Sequence, residues 1–133
     1  MAGTCVGTWF VWDVASGKRK ATVTQMGFQH RIAYLPDGES IVTSGSHGTV
    51  IWDAETKQRV REFAGSMFAL AVTSDGQLIA TAGRDGEVDV WDVATGAHVG
   101  RKRGCTSWIW GVAVSPDGKR IAALGTDGNL RVW

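Results

Sequence analysis

The chain has 133 residues, 44% of them hydrophobic and 20% charged, which fits one globular domain spanning residues 1–133. Fourteen Lys and Arg against thirteen Asp and Glu leave a formal net charge of +1, so neither nucleic acid nor an anionic membrane is an expected partner. Eighteen glycines and only two prolines ask for many tight turns, and no Gly- and Pro-free stretch of ten residues keeps a helical apolar stripe, so no helix of useful length is expected.

Taken in chain order, residues 1–13 show neither a basic leader nor a long apolar core, and no apolar run approaches the ~20 residues of a membrane span, so the expected setting is cytoplasmic. Cys5 and Cys105 make neither a disulfide framework nor a zinc set; free thiols are expected, with a disulfide between the two as the alternative. A turn follows at Ser16-Gly17 and another at Pro36-Asp37-Gly38, after which Ser40–Thr43 reads as a short strand. Ser74-Asp75-Gly76 opens the same pattern again, with a strand at Leu78–Thr81, a turn at Arg84-Asp85-Gly86 and a further turn at Thr95-Gly96. Pro116-Asp117-Gly118, the strand Arg120–Ala123 and the turn Thr126-Asp127-Gly128 repeat it a third time.

The repetition is measurable. Trp-Asp pairs stand at Trp12-Asp13, Trp52-Asp53 and Trp91-Asp92, and the chain ends on Trp133, giving spacings of 40, 39 and 42 residues. Residues 73–91 and 115–133 are identical at nine of nineteen aligned positions, and residues 35–52 follow the same scheme with one residue fewer. Four short strands in each ~40-residue unit is the pattern of a propeller blade.

On these residues the whole chain resembles the WD-repeat β-propellers. The resemblance implies an all-β fold of blades with four antiparallel strands, a to d from the axis outward, about three blades in number. Mapped onto this sequence it gives c Trp9–Val14, d Arg19–Val23, a Gln29–Leu35, b Ser40–Ser44, c Thr49–Asp53, d Arg59–Phe63, a Phe68–Thr73, b Leu78–Ala82, c Val88–Val93, d His98–Lys102, a Trp108–Ser115, b Arg120–Leu124 and c Leu130–Trp133. It also implies a polar network of a strand-c Trp, a strand-b Ser or Thr, a b–c turn Asp and a d–a loop His. Thr43 and Thr81 keep the Thr, Asp85 and Asp127 the Asp; His47 and Ala123 are replacements, and the Gly-His dipeptide is missing from every repeat, which implies an incomplete network and a divergent, bacterial branch.

Thirteen strands amount to three blades and a surplus c strand, whereas closed propellers have about four to eight blades. Either the chain is a segment of a longer propeller, or two chains associate, the C-terminal a and b strands of one pairing with the N-terminal c and d strands of the other to give six blades.

For function, the strand-a column His30, Phe68 and Trp110 falls where the family lines the top of its central channel, and bulky groups with few rotatable bonds are effective anchors; the alternative is that Phe68 and Trp110 only fill space between blades. Trp108, Arg101 and Arg103 join the candidates, as cations interleaved with aromatics, against the plainer reading of a solvated strand end followed by a core strand. Ile32, Leu70 and Val112, with Tyr34, Val72 and Val114, are expected in the core, and Ala33, Ala71 and Ala113 at close blade contacts. His30, His47 and His98 do not form a metal set, no nucleophile elbow is present, and no cofactor is expected. The resulting expectation is a non-catalytic scaffold that binds a protein or peptide through its top face; a sensor or accessory segment of a larger enzyme, such as a bacterial kinase or redox protein, is the alternative.

Overall fold

The structure is a computed structural model that describes residues 6–65, 67–103 and 105–133. These residues form thirteen strands and no helix: β1 Val6–Trp12, β2 Arg19–Met26, β3 Gln29–Tyr34, β4 Ser40–Gly45, β5 Gly48–Asp53, β6 Arg59–Phe63, β7 Met67–Val72, β8 Leu78–Gly83, β9 Val88–Asp92, β10 His98–Lys102, β11 Ile109–Val114, β12 Ile121–Gly125 and β13 Leu130–Val132. Every strand expected from the repeat is present, with ends moved by a few residues.

All pairings are antiparallel, and they sort the strands into four sheets. Blades II (β3–β6) and III (β7–β10) are complete, in the order a-b-c-d. Blade I contains β1 and β2, the c and d strands, and blade IV contains β11 to β13, the a, b and c strands.

The Trp-Asp pairs have a physical reason. In each, the Asp turns the chain from strand c to strand d: the carboxylates of Asp13, Asp53 and Asp92 accept hydrogen bonds from the amide and hydroxyl of Ser16, Thr56 and Thr95 respectively. Asp37, Asp75 and Asp117 cap the a–b turns in the same way. The Lys20 ammonium at Asp13, the Thr73 and Ser115 hydroxyls at Asp75 and Asp117, and these turn bonds favour the ionised form and, against the burial that opposes it at Asp37, hold all six carboxyls below their ordinary range. Lys57 takes φ 62° at the place where the other c–d turns carry Gly17 and Gly96.

Because side chains alternate along a strand, each blade offers one apolar face to the blade before it and one to the blade after it. Three interfaces result. Trp9 and Val23 of blade I pack on Ile41, Val50 and Trp52 of blade II. Val42, Ile51 and Phe63 of blade II pack on Ile79 and Trp91 of blade III. Ala69, Ala80, Ala82 and Val88 of blade III pack on Ile109 and Ala123 of blade IV. At the end carrying the c–d turns, Arg61 of β6 donates to the carbonyls of Ala94 and Thr95, both at 2.7 Å, latching blade II to blade III.

Part of the expected core is different. Ile32 and Tyr34 are 53% and 56% exposed. Both lie on the face of β3 that turns toward blade I, whose two strands cover β4 and β5 but do not reach over β3. Leu70, Val72, Val112 and Val114 are half-buried, as are Ala33 and Ala71, whereas Ala113 is exposed on the outer face of blade IV.

Candidate functional site

Antiparallel pairing brings the d–a connections and the b–c turns to the same end of every blade, here called the upper face. The a strands lie innermost: β7 packs against both β3 and β11. The beginnings of β3, β7 and β11 therefore converge at the upper end of the axis.

At that point each a strand carries a β-bulge. The register of β3 on β4 shifts between Gln29 and Arg31, that of β7 on β8 between Met67 and Ala69, and that of β11 on β12 between Ile109 and Gly111. The extra residues are His30, Phe68 and Trp110. A bulged residue is released from strict alternation and can be aimed out of the ladder, and here the three rings are aimed at one another. His30 meets Phe68 edge-on at 4.6 Å, while Trp110 and Trp108 stack on Phe68 at 5.7 and 5.8 Å.

Exposure divides the cluster into a base and a rim. Phe68 is 6% exposed and forms the floor; Trp108 and Trp110, at 40% and 47%, stand open to solvent. Phe68 thus fills space between blades, while the Trp rings above it remain accessible. A cavity of about 140 Å³ adjoins the cluster, lined by His30, Arg31, Ile32, Trp9, Gln29 and Thr43.

Two cations complete the cluster, and neither was singled out from the sequence. The Arg84 guanidinium, in the b–c turn of blade III, lies 5.2 Å from the Phe68 ring centroid and 4.7 Å from that of Trp108. Arg31 reaches from blade II to donate to the Trp110 carbonyl at 3.2 Å and to its neighbour His30 at 2.9 Å. No ion pair ties Arg31 or Arg84 to a carboxylate among the described residues. Burial, reinforced by these two cations, pushes the His30 imidazole below its ordinary 6.5, which favours the neutral ring. Arg84 left only a weak trace in the sequence: it is a long cation in the turn position that Thr126 fills in the next repeat.

Arg101 and Arg103 belong to a separate construction on the outer strand. Arg101 binds the buried carboxylate of Asp89 at 2.7 Å and Glu87 at 2.7 Å, and Arg103 binds Glu87 at 2.7 Å. His98 closes on Asp89 at 2.6 Å. These cations neutralise the blade's own acids. His30, Phe68, Trp108 and Trp110 are brought together; Arg101, on the outermost strand β10, and Arg103, just past its end, sit apart from them.

The network implied by the resemblance is half formed. Trp52 Nε1 donates to Thr43 Oγ1 at 2.9 Å, and Trp91 Nε1 donates to Thr81 Oγ1 at 2.8 Å. A family model, "WD domain, G-beta repeat", matches residues 57–92 and 96–133, more than half of the chain. The chain belongs to the WD-repeat family.

Curated relatives agree. Transducin-like enhancer protein 2 of Mus musculus is 32% identical over 108 residues, 72% of this chain and 14% of that protein. U3 snoRNP-associated protein-like YAO of Arabidopsis thaliana is 37% identical over 93 residues, 70% of this chain and 15% of that protein. Cilia- and flagella-associated protein 52 of Chlamydomonas reinhardtii is 32% identical over 94 residues, 67% and 15% respectively. The chain thus spans about one seventh of the length of these relatives.

Within this WD-repeat chain, the part that the family gives to a loop His is played for Thr43 by Gln25, whose Oε1 accepts from the Thr43 hydroxyl at 3.0 Å. For blade III the position equivalent to Gln25 is Gly65, which has no side chain to offer, while Phe63, the counterpart of Val23, packs its ring on Trp91 at 5.2 Å. The turn carboxylates are used elsewhere: Asp85 accepts from the Glu87 amide and Asp127 pairs with Arg131 at 2.8 Å. Cys105 is a free thiol beside Arg131, and Cys5 lies outside the described residues. Among the described residues no three His, Cys, Asp or Glu side chains converge to hold a metal, and no helix is long and apolar enough to cross a membrane.

Proposed function

We propose that this chain is a non-catalytic protein-interaction module that docks a protein or peptide on its upper face, at the cluster of His30, Phe68, Trp108 and Trp110. The observation that carries the reading is the set of three aligned bulges, which turn one ring from each of three blades toward a common point. Rigid aromatic groups above a buried floor lose little rotamer entropy on binding and bury much area, as binding hot spots do. Arg31 and Arg84, free of internal carboxylates, suit a partner segment that places acidic side chains beside an apolar or aromatic one. Arg101 and Arg103 serve as a rim, since their charge is largely met by Glu87 and Asp89. With its strongest basic run neutralised internally, the face suits a protein better than nucleic acid or a membrane. The names of the relatives, one of them a snoRNP-associated protein, fit a module that works inside assemblies, and the free Cys105 thiol suits a cytoplasmic setting.

The test is affinity capture with the wild-type chain and with the His30→Ala/Trp110→Ala double variant. Removing two anchors should weaken capture by roughly 30-fold or more with the β-sheet circular dichroism unchanged. Unchanged capture refutes the site, and lost dichroism returns both residues to the core.

A further inference from the structure

Within the docking cluster His30 is the only side chain whose charge changes near neutral pH. We propose that docking there is coupled to proton uptake by His30, so that an acidic segment of a partner protein, held by Arg31 and Arg84, binds more tightly as the pH falls from about 7.5 to about 5.5. The coupling rests on the docking reading above and adds to it the partner's charge and the regulation of the site.

The charges acting on His30 are both positive. β3 packs against β4 and β7, and neither of those strands carries a titratable side chain. Residues 26–29, which lead into His30, and β11, which brings Trp110, carry none either. β3 itself supplies Arg31, whose Nη1 donates to the His30 carbonyl at 2.9 Å and whose Nη2 donates to the Trp110 carbonyl at 3.2 Å. The b–c turn of blade III supplies Arg84, whose guanidinium stands over Phe68, the same ring that His30 meets edge-on. Asp85 follows Arg84 in that turn, but its carboxylate accepts from the Glu87 amide. The b–c turn of blade II carries His47, whose Nδ1 is bonded to Ser46 Oγ at 3.1 Å.

In the free chain burial, and then the two cations, push the His30 imidazole below its ordinary 6.5. A carboxylate set between the guanidiniums reverses the electrostatic part. It neutralises the cations and adds a negative charge beside the ring, and both changes favour the charged form. The imidazolium strengthens the hold on the carboxylate in return, since coupling between two bound species is reciprocal. The guanidiniums are suited to this exchange. Arg84 makes no hydrogen bond among the described residues and rests on the Phe68 and Trp108 rings, so its planar fork of donors is ready for a bidentate carboxylate. A neutral or basic segment brings no such exchange: covering His30 without an anion buries the neutral ring further and reverses the trend. Uptake of one proton limits the gain to about tenfold per pH unit. Below about pH 5 the partner's own carboxylates begin to protonate, which sets the lower end of the window.

The test begins with a random-peptide display library panned on the wild-type chain at about pH 6. Enrichment of Asp and Glu around an apolar or aromatic residue is expected, and the most enriched peptide, made with a fluorophore, is the probe. Its affinity, followed by fluorescence anisotropy, should rise about three- to tenfold between pH 7.5 and 5.5 for the wild-type chain and for His47→Gln, and should lose most of that rise for His30→Gln. Arg84→Gln should weaken binding at every pH and flatten the profile. In the wild-type chain the His30 ring resonances should titrate at higher pH with the peptide bound than without it, a measurement that needs no variant. Enrichment of basic or neutral peptides, an affinity that is flat or falls on acidification, an unchanged slope in His30→Gln, or a His30 titration that stays in place or moves down each overturns the proposal. A probe that is lost in His30→Ala/Trp110→Ala yet shows no pH slope overturns the coupling alone, whereas a probe indifferent to that double variant overturns the docking site itself.

Discussion

Thr43→Val is the sharpest probe of how the blades are held together. Thr43 is 1% exposed and its hydroxyl does two things, accepting from Trp52 Nε1 and donating to Gln25 Oε1. Valine has nearly the same shape, so no cavity opens, and what is lost is the pairing of two buried polar atoms. Each orphaned group costs about 1–3 kcal/mol, so a loss of about 2–4 kcal/mol is expected. Thr81→Val is the internal control. Among the described residues its hydroxyl serves only Trp91 Nε1, in a part-buried bond, because Gly65, with no side chain, stands where Gln25 stands in the other blade; the expected loss is about 1 kcal/mol. Urea unfolding followed by tryptophan fluorescence separates the two: with a slope of about 2 kcal/mol/M, a 3 kcal/mol loss lowers the midpoint by about 1.5 M. Adding Gln25→Leu to Thr43→Val should recover part of the loss, since replacing both partners removes the unpaired carbonyl. An equal or larger effect of Thr81→Val would refute the reasoning, as would a double variant weaker than Thr43→Val alone.

Phe68→Ala should cost about 3–5 kcal/mol in unfolding experiments, as for a large buried side chain, while Trp110→Ala, with its ring half in solvent, should cost under about 1.5 kcal/mol; a reversal would exchange the roles of floor and rim. His30 has a folded-state pKa below its ordinary 6.5, so the unfolded chain takes up the proton first as pH falls; the stability His30 contributes is present above pH 6.5 and lost as pH drops through the folded value. His30→Asn should therefore flatten part of the decline in urea midpoint between pH 7.5 and 5, and an unchanged profile would show that His30 is not the group responsible. Lys57→Gly should raise stability by about 0.5–1 kcal/mol in thermal unfolding, because Lys57 holds the left-handed φ that glycine adopts in the sister turns.

The sequence by itself determined the fold. A Trp-Asp pair every 39 or 40 residues, with an Asp-Gly turn at constant offsets, specifies strand number, strand direction and blade membership, because these rest on local turn chemistry and a period-two pattern. It also supplied the column His30, Phe68 and Trp110, since residues at equal repeat positions meet around a common axis. What only the tertiary structure decided lies in contacts between blades. The three bulges leave no residue signature, yet they aim those rings at each other. Arg84 joins them across a turn from elsewhere in the chain, Arg101 and Arg103 prove committed to Glu87 and Asp89, and Gln25 replaces a histidine that the repeat pattern could only report as missing. Ile32 and Tyr34 show the same limit in the core: alternation says which face of a strand a side chain takes, but whether that face is covered depends on the strands that the neighbouring sheet places over it.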